Sequence, residues 1–238
     1  MKKKAETRDF IHLEHPKKVD RYGYWEQIKR TVNGKPIEEV EVKLITESII
    51  KHLELMEDDN LLDLGCGNGK LASYFFNRVN KYHGVDFSPY LLGIAKEDFF
   101  IKGKTSYQKL NLRDEATKIE ELDSFNSVLC YGAFPYFGRL GGQSIIELFG
   151  SMTNISKIYL GNIPDINFVS EFYSQRDIKD YDVHDAESAI GVWWDYADIE
   201  FQFNKAGFAT QKIQMPDSFY ASKYRYDVFA YRQLNEVT

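Results

Sequence analysis

The stretch Leu61-Leu62-Asp63-Leu64-Gly65-Cys66-Gly67-Asn68-Gly69-Lys70-Leu71 decides how the rest of the chain is read. Its apolar start suits a strand buried on both faces of a parallel sheet, where strict alternation is not expected. Three glycines at alternate positions then offer positive φ and let backbone approach a ligand with no Cβ between. A helical pattern begins directly after them. Its first N–H groups lack partners within the helix and would face whatever lies over the turn.

Working outward, Tyr82-His83-Gly84-Val85-Asp86 reads as a second strand that ends on a carboxylate. Asp86 lies 21 positions past Gly65, about the interval at which a βαβ unit brings its second strand end beside the first. A carboxylate there can accept two hydrogen bonds from a ribose diol. A phosphate-cradling P-loop is excluded, because Leu64 and Leu71 stand where Gly and Ser/Thr are needed. The dinucleotide fingerprint needs a small residue at position 70, where Lys70 stands.

The remaining pattern, D-x-G-x-G-x-G from Asp63 to Gly69 with Asp86 after it, resembles the class I S-adenosylmethionine (SAM) dependent methyltransferases, from about Ile37 to the C-terminus. The resemblance implies that Asp63, Gly65, Cys66 and Gly67 line the methionine and ribose side of SAM. Asp86 would bind the ribose, and Phe87 would lie against the adenine. Asn111 would meet the adenine amino group, Leu112 would offer a backbone N–H, and Tyr131 would sit near the transferring methyl.

The order of elements agrees. Ile37, Val40, Leu44, Ile45, Ile49 and Leu53 recur at helical steps after Pro36, a favoured first helical residue. A helix is expected from Lys70 to Val79, and another after the Ser88-Pro89 cap. Further strands are expected at 105–110, 127–131 and 155–163, with a helix from Gly141-Gly142 between the last two. Then come a helix from Asp195 to Gly207 and strands at 208–215 and 225–231. Alternating strands and helices give an α/β fold, a doubly wound, mostly parallel sheet with helices on both faces. The resemblance sets its count at seven strands, the last antiparallel. Residues 1–35 read as an N-terminal arm or cap and 36–238 as the SAM-binding domain. Asp- and Tyr-rich residues 164–193 read as a substrate insertion.

Composition bounds the function. The 238 residues fit one domain with a short addition, and 43% hydrophobic content is ample for a core. No apolar run approaches a membrane span, and Met1-Lys2-Lys3-Lys4 is not followed by a signal-like apolar segment. Cys66 and Cys130 form no C-x-x-C pair, which suits a reduced, cytoplasmic protein. A net charge of -6 argues against a nucleic-acid substrate. No spacing of His, Cys or carboxylates suggests a metal.

A small-molecule acceptor is therefore expected, methylated on oxygen ahead of nitrogen, and Ala133-Phe134-Pro135-Tyr136 lacks the Asp/Asn-Pro-Pro-Tyr/Phe of the family's amino-methylating enzymes that act on nucleic acid. Acceptor-site candidates are Tyr22, Tyr24, Trp25, Tyr136, His184 and Trp194. His184 is the candidate base, with Tyr131 beside the methyl, while His12 and His15 read as surface. Two other readings stay open at this point: a nicotinamide-dependent oxidoreductase, and a SAM-binding sensor or partner subunit without turnover.

Overall fold

The computed structural model describes residues 6–174 and 181–232. Seven strands form one sheet: β1 (Asn60–Leu64), β2 (Lys81–Asp86), β3 (Thr105–Lys109), β4 (Ser127–Tyr131), β5 (Lys157–Pro164), β6 (Ala209–Ile213) and β7 (Arg225–Tyr231). Their order across the sheet is β3-β2-β1-β4-β5-β7-β6. β1 through β5 pair in parallel, and β7 runs antiparallel to both of its neighbours. The order reverses between β1 and β4, and a crevice outside the strand ends is expected at such a switch point.

Alternation along the central strands feeds two cores. Leu62, Val128, Cys130, Ile158 and Leu160 face one side, against helix residues Ile145, Ile146, Phe149, Ile199 and Phe203. Leu61, Leu129, Tyr131 and Tyr159 face the other, against Val42, Ile45, Ile49 and Leu53. Neighbouring strand residues thus separate onto opposite faces, as the pleat requires.

The first long helix, Glu39–Leu53, starts later than Pro36 suggested. Pro36 instead closes a two-stranded ribbon, Thr31–Val32 against Lys35–Pro36, turned at Asn33 and Gly34 with φ of 51° and 77°. Glu38 and Glu41 form a reciprocal capping box at the helix start. The helix expected over Lys70–Val79 is replaced by two tight turns, Ala72–Tyr74 and Phe76–Arg78. There the Ser73 hydroxyl donates to the Lys70 carbonyl at 2.7 Å, a local bond that competes with the helical ladder. The Ser88-Pro89 cap opens Pro89–Asp98 as expected. The next long helix begins at Gly138 rather than Gly141.

Arg232 closes the end of the helix Gly138–Ser151. Its Nε donates to the Ile155 carbonyl at 2.9 Å, and its Nη2 reaches the Phe149, Gly150 and Met152 carbonyls at 3.0, 3.0 and 2.6 Å. The Phe149, Gly150 and Met152 carbonyls lie at the helix end, where acceptors lack helical partners, and Ile155 lies just beyond it. Arg232→Ala is expected to lower the unfolding free energy by about 2–3 kcal/mol, the range for charged hydrogen bonds, as read by urea denaturation.

Candidate active site

The turn after β1 is held open for backbone contact. Gly65, Gly67 and Gly69 have φ of 74°, 58° and 79°. The Gly65 and Cys66 N–H groups both donate to the Val85 carbonyl, at 2.7 and 3.1 Å, which pins the turn to β2. A Cβ on Gly65 would lie 2.2 Å from that of Ala133, and one on Gly67 would lie 3.1 Å from Ile28 Cγ2.

Asp86 completes the junction. Its Oδ2 accepts from the Gly67 N–H at 2.9 Å and its Oδ1 from the Ser88 N–H at 2.8 Å. Each oxygen keeps accepting capacity for a ligand hydroxyl. Burial raises the Asp86 pKa, and the backbone N–H groups of Ser88, Gly67 and Phe87 oppose the rise. Burial likewise pushes Asp63 up to about 7, against the Tyr82 hydroxyl that donates to it at 2.8 Å and with the help of the Asp86 charge.

One cavity unites these groups. Asp63, Gly65, Cys66 and Gly67 line it from the first turn, and Asp86 and Phe87 from the second strand end. Asn111 and Leu112 close the side beyond β3, and Tyr131 and Tyr136 the side beyond β4. Asn111 is partly committed to capping. It accepts from the Arg113 N–H at 3.4 Å and donates to Asp114 at 3.3 Å.

The roof comes from residues the motif did not indicate. Arg8, His12, Ile28 and Arg30 of the arm line the cavity, as does Arg113. Arg8 stacks over the Phe87 ring at 5.1 Å and hydrogen-bonds through its N–H to the Glu187 carbonyl at 2.7 Å. Asn68, buried in the glycine turn, donates to the Tyr24 carbonyl at 2.8 Å and to Gln27 Oε1 at 2.9 Å. The arm is thus fastened to the turn it covers. No periodicity marks these contacts, because each depends on a few isolated polar side chains.

His12 corrects the surface reading. Its ring packs edge-on against Tyr136 at 4.8 Å and Phe87 at 5.9 Å, and its Nε2 is shielded and unpartnered. Burial, helped by Arg8 and opposed by Asp9, lowers its pKa to about 4, so it is neutral at pH 7. His15 is tied to the Glu26 carbonyl at 2.9 Å.

Other candidates lie elsewhere. His184 is exposed on a loop, its N–H donating to Asp182 at 2.8 Å. Too few apolar neighbours surround that polar stretch to draw it inward. Trp194 is buried core, 5.1 Å from the Phe134 ring with the Arg139 guanidinium 4.4 Å over it. Tyr22 is exposed, and Tyr24 turns its hydroxyl to Asp98 at 2.9 Å. Trp25 packs against the core on the arm's underside. None of these five lines the cavity.

The residues present fit SAM. The glycine cradle admits backbone contact, Asp86 keeps lone pairs, and Phe87, Leu91 and Leu112 offer apolar surface to a flat ring. Comparison with known proteins agrees. Residues 62–154 match a family profile described as a methyltransferase domain. An uncharacterized methyltransferase of Schizosaccharomyces pombe is 38% identical over 56 residues, 24% of this chain and 22% of that protein. Ribosomal RNA small subunit methyltransferase A of Hydrogenobaculum sp. is 22% identical over 164 residues, 69% of this chain and 56% of that one. The chain therefore spans a fifth to about half of these curated relatives.

Among solved structures, magnesium protoporphyrin IX methyltransferase from Synechocystis with bound SAH superposes with a TM-score of 0.63 at 15% identity. The match covers 95% of this chain and 98% of that one, a likeness of fold. Residues 62–154 thus match a methyltransferase domain, and the seven-stranded architecture around them has the fold of an S-adenosylmethionine-dependent methyltransferase.

Proposed function

We propose that the chain transfers a methyl group from SAM to a small-molecule acceptor, on oxygen ahead of nitrogen. The observation that carries this reading is the roof: the arm crosses the switch-point cavity and leaves space beneath it rather than an open groove. The bound sulfonium supplies an already activated methyl, so the protein's tasks are to align the acceptor and exclude water.

The residues divide that work. Asp86 and the Gly67 backbone hold the sugar, and the arm covers it. Tyr131, at the tip of β4, is buried, and burial drives its hydroxyl pKa well above the ordinary value. It therefore keeps its proton and acts by hydrogen bonding. The neutral His12 imidazole, with Nε2 free in the roof, takes the place of His184 as the group that can accept a hydrogen bond from a hydroxyl acceptor, its lowered pKa making it a weak base.

An RNA acceptor is the second reading, favoured by the ribosomal RNA methyltransferase among the relatives. The net charge of -6 opposes it. Incubation with SAM and metabolite or RNA fractions, followed by SAH detection, separates the two: turnover confined to RNA would overturn the small-molecule reading.

Asp86→Ala is expected to weaken SAH binding by about 1.5–3 kcal/mol, the value of a charged hydrogen-bonding partner, measured by calorimetry. A second outcome follows from Asp63, whose raised pKa leaves it half protonated near pH 7. A cationic ligand beside it favours the ionised form, so binding releases a proton and affinity falls as pH drops below 7. Affinity for SAM is expected to be about tenfold higher at pH 8 than at pH 6, and Asp63→Asn should flatten that profile.

A further inference from the structure

Arg30 is the one arginine or lysine among the described residues in the buried class, at 7% exposure. Its backbone is held on both sides: its N–H donates to the Trp25 carbonyl at 2.8 Å and its carbonyl accepts from Ile37 at 3.1 Å. The side chain reaches across the tip of β4, with its guanidinium 4.6 Å over the Tyr131 ring and Nη2 3.5 Å from the Tyr131 carbonyl. Tyr220 bonds to it from the β6–β7 loop. A Cβ on Gly132 would stand 3.1 Å from Nη2, so the glycine makes room for the guanidinium.

What is missing is a direct ion pair, although the Asp227 charge acts on Arg30 from a distance. Among the described residues no carboxylate lies within ion-pair distance of Arg30. Asp227, in the same buried network, is already engaged, accepting from the Tyr159 hydroxyl and the Asn162 N–H at 2.6 Å each. Arg30 Nε and the Tyr131 hydroxyl are both shielded from solvent and unpartnered, and both residues line the cavity. A buried guanidinium without a direct ion pair is costly, as is an unmade buried hydrogen bond such as that of its Nε. A ligand anion would satisfy both atoms at once.

We infer that Arg30 and the Tyr131 hydroxyl form a carboxylate subsite at the β4 end of the cavity. That end lies across the glycine turn from Phe87 and Asn111, so it is not the nucleoside end. The carboxylate has two sources: the amino-acid tail of the cofactor, or an acidic acceptor. The guanidinium fork matches a carboxylate in either case. The inference rests on the proposed function, since it presupposes an adenosyl ligand on the other side of the turn.

Calorimetry with SAH and with its decarboxylated analogue, on wild type and Arg30→Gln, provides the test. A loss of SAH affinity of about tenfold to a hundredfold, with the analogue bound alike by both proteins, assigns the carboxylate to the cofactor. Equal SAH affinity, with succinate or benzoate raising the melting temperature of the wild-type SAH complex alone, assigns it to the acceptor. Arg30→Lys should restore part of the loss in either arm. Should Arg30→Gln not fold, Tyr131→Phe takes its place, deleting only the unpartnered hydroxyl. Equal response of both proteins to every ligand overturns the subsite. So does an equal loss of SAH and its decarboxylated analogue, which would make the guanidinium a shape-keeping group. Failure of wild type to bind either adenosyl compound would instead remove the proposed function itself.

Discussion

A single carboxylate joins the parts of this molecule that matter for its chemistry. Asp86 accepts from Gly67 across the strand gap and from Ser88 along its own chain. It thereby fixes the glycine turn against β2 and also sets the entry to the helix Pro89–Asp98. Because β1 and β2 pair in parallel register, with Leu64 beside Val85, the two turns emerge side by side at one edge. The cost of burying that acid is visible in its raised pKa. The group is held in place by N–H donors rather than by a basic side chain, so its negative charge remains available to a ligand's hydroxyls.

The two cores on either side of the sheet explain why some aromatic residues ended up away from the cavity. Trp194 packs against Phe134, and Trp193, just before it, packs against Phe172. Burying large apolar rings there is worth more than leaving them at a solvent edge. The same logic places Tyr24 against Phe99, its hydroxyl satisfied by Asp98.

The fold was legible because its signals are local and periodic. Gly65 to Gly69, the interval to Asp86, and the Ser88-Pro89 cap each state a backbone requirement that neighbouring residues cannot override. The strands around them were readable for the same reason. The stretch after Gly69 reads as a helix in sequence, whereas Ser73 bonds back to Lys70 and the chain closes into shorter turns. The roof was less legible still. His12, Arg30 and Asn68 act through long-range contacts, and a charged arm looks the same in sequence whether it is solvated or folded down.

The fastening of that arm to the insertion has its own consequence. Arg8 and Arg113 share Glu187, while the Arg8 N–H meets its carbonyl and Thr7 bridges to Ser188. Glu187 is half exposed, so dissolved ions reach this clasp, and its attraction weakens within the range of ordinary ionic strength. The buried Asn68 and Asp86 junctions are screened far less. Rising salt will therefore loosen the outer edge of the cover first and leave the junction at the glycine turn intact, so access to the cavity becomes a property of the surrounding electrolyte.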